Sequence, residues 1–170
     1  YPKTGQFTHD TSYILAQYAN TAEGLKNQLN NFEHISFDVF DTLVRREYYV
    51  PDYAKLLLGK SLVQKGLVSN AHEFVKMRNT AELEVRKAKN FVGDVTIFET
   101  YDYLAKQLGW SNDQAHNYAE QEFAYDLQMT LPKDEMVDIF NELILAGKQI
   151  TVASDTYYTK EQVTLMLAKV

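Results

Sequence analysis

The sequence predicts an α/β fold in which a mainly helical segment is inserted after the first core strand. Two short apolar runs, at 33–38 and 149–154, have the length and composition of buried strands. Roughly 110 residues separate these runs, far more than the ~30 of a simple strand–helix–strand unit, and most of them carry helix signals. We therefore expect a partial Rossmann-like core of parallel neighbouring strands, with a helical cap between them.

The N-terminal segment, 1–48, is expected to contain one helix and the first strand. A loose apolar stripe across 9–30 predicts the helix, and polar residues at 10–12 offer caps for its start. The strand at 33–38 then leads into a stretch of acidic and hydroxyl side chains.

Four helices are predicted for the cap, 49–130. Thr96 and Glu99 have the spacing of a capping box, in which each side chain bonds the other residue's main chain. Arg78 lies in the second helix, and the sequence leaves open whether it faces the site. The four helices are expected at 52–65, 70–90, 96–108 and 111–127.

The last segment, 131–170, is expected to return to the core. Pro132 suits the first turn of a helix, which should end at Gly147. The second strand, 149–154, follows, and a final helix should run from Thr159 to the end of the chain.

Composition excludes several classes of function. A net charge of -6 and a pI of about 5.2 argue against a nucleic-acid partner, because such domains are usually basic. The absence of cysteine excludes disulfides, thiol catalysis and cysteine-ligated metals. No apolar run approaches the ~20 residues of a membrane helix, and no secretory signal is visible, so we expect a cytoplasmic protein without membrane insertion.

Polar side chains follow both predicted strands. Asp38, Asp41 and Thr42 come after the first strand, and Ser154 ends the second. Ligands bind beyond the carboxyl ends of strands in open α/β sheets, and an aspartate there can attack phosphorus. The alternative is structural: the two aspartates form a side-chain-bonded turn, and Thr42 caps the next segment. The second polar strand end favours a site.

The two segments resemble the haloacid dehalogenase-like (HAD) superfamily. FDVFDTLV matches its first motif at Asp38, Thr42 and Leu43, and ITVAS matches its second motif at Ser154. The helical block corresponds in position to a type I helical cap. More narrowly, FDVFDTLVRR with VASDTYYTKEQV is similar to bacterial HAD-like domains that often lie beside glycosyltransferase modules for surface polysaccharide.

The resemblance implies a role for each motif residue. Asp38 would be the nucleophile and a Mg²⁺ ligand, and the main-chain carbonyl of Phe40 would be a second Mg²⁺ ligand. Thr42 and Ser154 would bind the transferred phosphoryl group. The substrate would be a phosphorylated small molecule, with a sugar phosphate suggested by the narrower resemblance alone.

Two departures from the family pattern affect the expected function. The usual acid/base aspartate is replaced by Phe40, which transfers no proton; Asp41, at the usual glycine position, is the remaining candidate acid/base. An aromatic residue at the position of Phe40 also occurs in the dehalogenase branch. The family's later lysine and acidic metal-binding motif have no counterpart before Val170. We therefore expect a fragment, nearly inactive alone.

Three functions remain open at this point. The first is Mg²⁺-dependent hydrolysis of a phosphate monoester through an aspartyl-phosphate on Asp38, in the intact parent protein. The second is a non-catalytic binding or interaction domain, beside a glycosyltransferase module in the same chain. The third is a dehalogenase-type attack on carbon.

Overall fold

A computed structural model describes residues 21–48, 50 and 52–170. Within them the chain forms seven helices and four short strands. In chain order these are α1 (Ala22–Leu29), β1 (His34–Phe37), β2 (Val44–Arg46), α2 (Tyr53–Gln64), α3 (Ala71–Ala88), α4 (Ile97–Leu108), α5 (Asn112–Met129), β3 (Thr130–Pro132), α6 (Asp134–Leu145), β4 (Gln149–Val152) and α7 (Lys160–Lys169).

The chain divides into two compact units, each assembled from separate stretches of sequence. The sheet unit contains the described residues up to Tyr48, together with 130–154 and 166–170. The helical unit contains 50–129 and 155–165.

The sheet unit is built around the parallel pair of β1 and β4, which confirms the predicted pairing of the two apolar runs. Phe37 lies opposite Val152 in the register, and His34 lies opposite Gln149. Alternate residues of β1 are buried, and the ring of Phe37 packs edge-on against Phe140 of α6 with 5.3 Å between ring centroids. This alternation is typical of a strand with one covered face. The fold is thus mixed α/β with a small parallel sheet.

A two-stranded antiparallel ribbon, β2 with β3, was not predicted from the sequence. Val44 lies opposite Pro132, and Arg46 lies opposite Thr130. The prediction that Pro132 opens the following helix is wrong by two residues, because Pro132 ends β3 and α6 begins at Asp134. A proline lacks a main-chain N–H, so an edge position of a short ribbon accommodates it.

The helical unit contains the four predicted cap helices, α2 to α5. The Asn70 side chain caps α3 by accepting hydrogen bonds from two main-chain N–H groups. The predicted capping box of α4 is present, with Thr96 and Glu99 bonded in both directions. Burial of one face of each helix stabilises the unit, and its core includes Phe74 and Leu104.

The structure describes only part of the first predicted helix, and the last predicted helix begins one residue late. α1 covers Ala22–Leu29, and residues 9–20 of the predicted helix lie outside the described part of the chain. α7 begins at Lys160, one residue after the predicted start at Thr159. None of the helices in the described ranges is long and apolar enough to cross a membrane.

Candidate functional site

The candidate site begins where β1 ends. Asp38 directly follows Phe37, and its side chain is exposed. One of its carboxylate oxygens accepts a hydrogen bond from the Thr42 hydroxyl at 3.4 Å. That bond is long, so the carboxylate keeps most of its capacity to accept hydrogen bonds or to react.

Main-chain bonds, not aspartate side chains, hold the turn after Asp38. The N–H groups of Leu43 and Val44 both donate to the Val39 carbonyl at 2.9 Å, and the Asp41 N–H donates to the Val44 carbonyl at 2.7 Å. Neither Asp38 nor Asp41 accepts a main-chain N–H through its side chain within the described residues. The side-chain-bonded turn, which was the structural alternative, is therefore not the arrangement found.

Asp41 has a left-handed backbone, with φ of 58°. Aspartate is one of the few side chains that adopt this region without a large steric cost. The side chain of Asp41 is exposed. Its conformation is the one that a glycine would adopt at this point of the turn.

Ser154 leaves the sheet at the same edge as Asp38. The N–H of Ala153 donates to the Phe37 carbonyl at 2.9 Å, so the parallel pairing continues one residue past β4. The hydroxyl oxygen of Ser154 is buried and has no hydrogen-bond partner among the described residues. A buried hydroxyl without a partner is costly, which makes it a candidate for a ligand contact.

Phe40 lies two residues after Asp38, where the resemblance to the HAD superfamily would place a proton donor. Its ring lies under the guanidinium of Arg46, with 4.6 Å from the guanidinium carbon to the ring centroid. This contact is a cation–π interaction, which holds the aromatic side chain at the turn. Nothing in the Phe40 side chain transfers a proton.

A magnesium ion fits the oxygen chemistry of this turn. Mg²⁺ prefers hard oxygen ligands and keeps several waters, so one or two protein ligands are sufficient. Asp38 has an exposed carboxylate, and the main-chain carbonyl of Phe40 is the second ligand that the resemblance implies. The described residues include no cluster of three or more His, Cys, Asp or Glu side chains that could hold a metal ion.

Lys133 contacts the turn that follows Asp38, and this contact was not predicted from the sequence. Its ammonium donates to the Asp41 carbonyl at 2.5 Å, and its own N–H donates to the Leu43 carbonyl at 3.0 Å. Ninety-two residues separate Lys133 from Asp41, so no local pattern joins them. The only sequence signal was a lysine next to Pro132, which the β2–β3 pairing would have brought to the turn.

A buried polar cluster lies inside the helical unit. Arg78, whose orientation the sequence left open, donates to both oxygens of Glu122 at 3.1 and 2.9 Å. Tyr101 donates to the same carboxylate at 2.6 Å, and Arg78 also pairs with Glu82. The guanidinium lies 4.3 Å from the ring centroid of Tyr157.

The interactions of this cluster keep Arg78 charged and the Tyr101 hydroxyl protonated. Burial is the largest single effect and lowers the pKa of Arg78, but Glu122, Tyr157, Tyr101 and Glu82 together outweigh it and raise that pKa above its ordinary value. Burial and the Glu122 carboxylate both raise the pKa of Tyr101, so its hydroxyl remains a donor. These interactions give Arg78 a structural role within the helical unit.

No protein-family model matches the chain, and no curated protein matches it either. The resemblance to the HAD superfamily therefore depends on the motif residues at the two strand ends.

Proposed function

We propose that this chain carries the nucleophile half of a HAD-like phosphohydrolase that acts on a phosphate monoester, with a sugar phosphate as one candidate substrate. The observation that supports this most strongly is the parallel pairing of β1 with β4. It carries Asp38 and Ser154 out of the sheet at the same edge, where α/β enzymes bind ligands. An exposed carboxylate and an unpartnered hydroxyl there suit phosphoryl transfer.

In the proposed reaction, a carboxylate oxygen of Asp38 attacks phosphorus. The bond between phosphorus and the ester oxygen breaks, and the leaving alkoxide takes up a proton. The hydroxyls of Thr42 and Ser154 donate hydrogen bonds to the phosphoryl oxygens. Water then attacks the phosphorus of the aspartyl-phosphate, which releases inorganic phosphate and restores Asp38. Bound Mg²⁺ would offset the negative charges of the carboxylate and the phosphate.

Phe40 limits the leaving groups that this site can release. With no proton donor at that position, expulsion of a poor leaving group should be slower by about 10²–10⁴. Asp41 is the remaining candidate acid, on an exposed side chain. We therefore expect a preference for leaving groups of low pKa.

A non-catalytic binding domain is the second candidate function. The Phe40–Arg46 contact favours it, because a cation–π pair occupies the position of the acid/base. Such a domain would bind a phosphorylated small molecule without turnover, within a larger polysaccharide-synthesis protein. A dehalogenase-type attack on carbon is also compatible with an aromatic Phe40, and it would release halide without a phosphate substrate.

The test is a panel of phosphate monoesters with the full-length protein, with and without Mg²⁺. Asp38→Asn should abolish Mg²⁺-dependent turnover, and phosphate should be trapped covalently on the wild-type protein alone. Asp138→Asn, an exposed aspartate of α6 in the same unit, is the matched control and should leave turnover unchanged. Unchanged turnover in Asp38→Asn would refute the nucleophile assignment. Binding of a phosphate monoester without turnover would favour the binding domain, and halide release from a haloacid would favour the dehalogenase.

A further inference from the structure

Two cationic residues lie on one face of the β2–β3 ribbon. Arg45 lies opposite Leu131, and Lys133 directly follows the end of β3 at Pro132, where its N–H donates to the Leu43 carbonyl and extends the antiparallel pairing by one residue. Positions two apart on a strand share a face, so Arg45 and Lys133 are diagonal neighbours, with a typical separation of about 7–8 Å between such positions.

Hydrogen bonds to main-chain carbonyls hold both cations at the ribbon. The Nε of Arg45 donates to the Pro132 carbonyl at 3.2 Å. The ammonium of Lys133 donates to the Asp41 carbonyl. The ribbon thus connects both side chains to the turn that carries Asp38.

Neither cation is neutralised within the described residues. Arg45 and Lys133 form no ion pair with a carboxylate there, although Asp134 and Glu135 directly follow Lys133 in sequence. Each keeps N–H donors beyond its one side-chain hydrogen bond: two on the ammonium, and the NH₂ groups on the guanidinium. Two like charges on one face repel each other, and a bound anion would remove that repulsion.

We propose that Arg45 and Lys133 form an anion subsite that binds a second negative group of the substrate, a phosphate or a carboxylate. This inference rests on the proposed function, because it places the reacting phosphate at Asp38 and the second group on the ribbon. It defines the substrate class as phosphate monoesters that carry another anion. The specificity-determining residues are then Arg45 and Lys133, neither of which takes part in bond breaking.

The test compares the binding of three ligands to the full-length Asp38→Asn protein in the presence of Mg²⁺. They are a neutral sugar monophosphate, the corresponding sugar bisphosphate and a phosphorylated sugar acid, measured by calorimetry. The bisphosphate and the phosphorylated sugar acid each carry a second anionic group. We expect at least one of these two ligands to bind about tenfold or more tightly than the monophosphate, because charge-assisted hydrogen bonds to the second group add affinity. Which one binds more tightly identifies the second group as phosphate or carboxylate.

Variants at the ribbon then assign the preference to particular side chains. Lys133→Met and Arg45→Met should each remove most of the preference for a second anionic group, with little change in affinity for the monophosphate. Lys133→Arg should retain that preference. Lys148→Met is the control, because Lys148 also donates to a main-chain carbonyl, that of Asn30 at 2.8 Å, but it pairs with Glu33 at 3.7 Å and precedes β4, at the opposite end of the strand from Ser154. Circular dichroism establishes that each variant is folded, and Lys133→Gln replaces any methionine variant that is not.

The outcomes separate this inference from the proposed function. Equal affinity for all three ligands, or an equal loss of preference in Lys148→Met, would overturn the subsite. A preference that depends on Arg45 and Lys133 in a protein that turns over no phosphate monoester would support the subsite and reject the hydrolase. Turnover that depends on Asp38, in a protein that shows no preference for a second anionic group, would support the hydrolase and reject the subsite.

Discussion

Arg78 and Glu122 are 44 residues apart in sequence and form a two-bonded ion pair in which both side chains have no solvent exposure. The pair joins α3 to α5 inside the helical unit. Breaking a buried pair leaves an isolated charge away from water, which costs far more than the pair contributes when intact.

Removing one partner of this pair should destabilise the helical unit severely. Glu122→Gln keeps the shape of the side chain but removes the fully buried carboxylate and leaves Arg78 with the partly exposed Glu82 as its remaining partner, so we expect a loss of up to about 3–5 kcal/mol in the free energy of unfolding. Urea unfolding followed by circular dichroism measures it. The exposed Glu84–Lys87 pair provides the control, and Glu84→Gln should cost no more than about 0.5 kcal/mol. A small loss in Glu122→Gln would mean that the pair is not buried in solution.

Glu82 should make stability sensitive to acid. Burial raises the pKa of Glu82, but the charge of Arg78 and the hydrogen bonds from Arg78 and Arg86 outweigh it and hold the pKa below its ordinary value of 4.5. Because the folded pKa is the lower one, the stabilisation is present above pH 4.5 and is lost as the pH falls through the folded pKa. Glu82→Gln should therefore flatten the decline in melting temperature below pH 4.5. An identical decline in wild type and variant would contradict this assignment.

Gly59 should resist replacement by alanine although it lies inside a helix. A Cβ at Gly59 of α2 would lie 2.9 Å from the Ala71 carbonyl oxygen and 3.2 Å from its Cβ. Alanine normally stabilises a helix relative to glycine by about 1 kcal/mol, but here we expect a loss of about 1–3 kcal/mol from overpacking. Urea unfolding shows whether Gly59→Ala raises or lowers the free energy of unfolding. Lys60→Ala, at the exposed neighbouring position, should change stability little, and a stabilised Gly59→Ala protein would show that α2 and α3 separate easily.

The left-handed backbone of Asp41 predicts an unusual ranking of substitutions. Asp41→Gly should be neutral or stabilise by up to about 1 kcal/mol, whereas Asp41→Val should destabilise by about 1–2 kcal/mol, because a β-branched side chain fits that conformation poorly. Thermal unfolding gives the ranking, and Asp138→Val on α6 serves as the comparison. A valine variant as stable as the glycine variant would mean that the turn adopts another conformation.

If Asp41→Gly also retains full turnover of a poor leaving group, Asp41 is not the acid.

Local sequence patterns predicted the elements that have strong local causes. The capping box of Thr96 and Glu99 could be predicted because both partners lie within one helical turn. The pairing of β1 with β4 could be predicted because two apolar runs both end in polar residues, which is typical of neighbouring strands in an α/β sheet.

The remaining features depend on contacts between distant parts of the chain. The strands β2 and β3 are three residues long each, too short for an alternating pattern to show. Lys133 reaches Asp41 only through that ribbon. The partner of Arg78 could not be predicted either, because helical periodicity identifies a face of a helix but not the residue packed against it.

The division of the chain has a consequence for how the protein is made. The helical unit includes residues 155–165, which follow β4, and Tyr158 there donates to Asp126 at 2.8 Å while its ring packs against Phe123. During synthesis from the N-terminus, helices α2 to α5 leave the ribosome before these residues exist. At the usual rate of about 5–20 residues per second, the partly built unit waits for seconds with Asp126 and Phe123 uncovered. The helical unit is therefore completed only after β4 has been synthesised, and until then the uncovered Phe123 is a site that a chaperone of the nascent chain can bind.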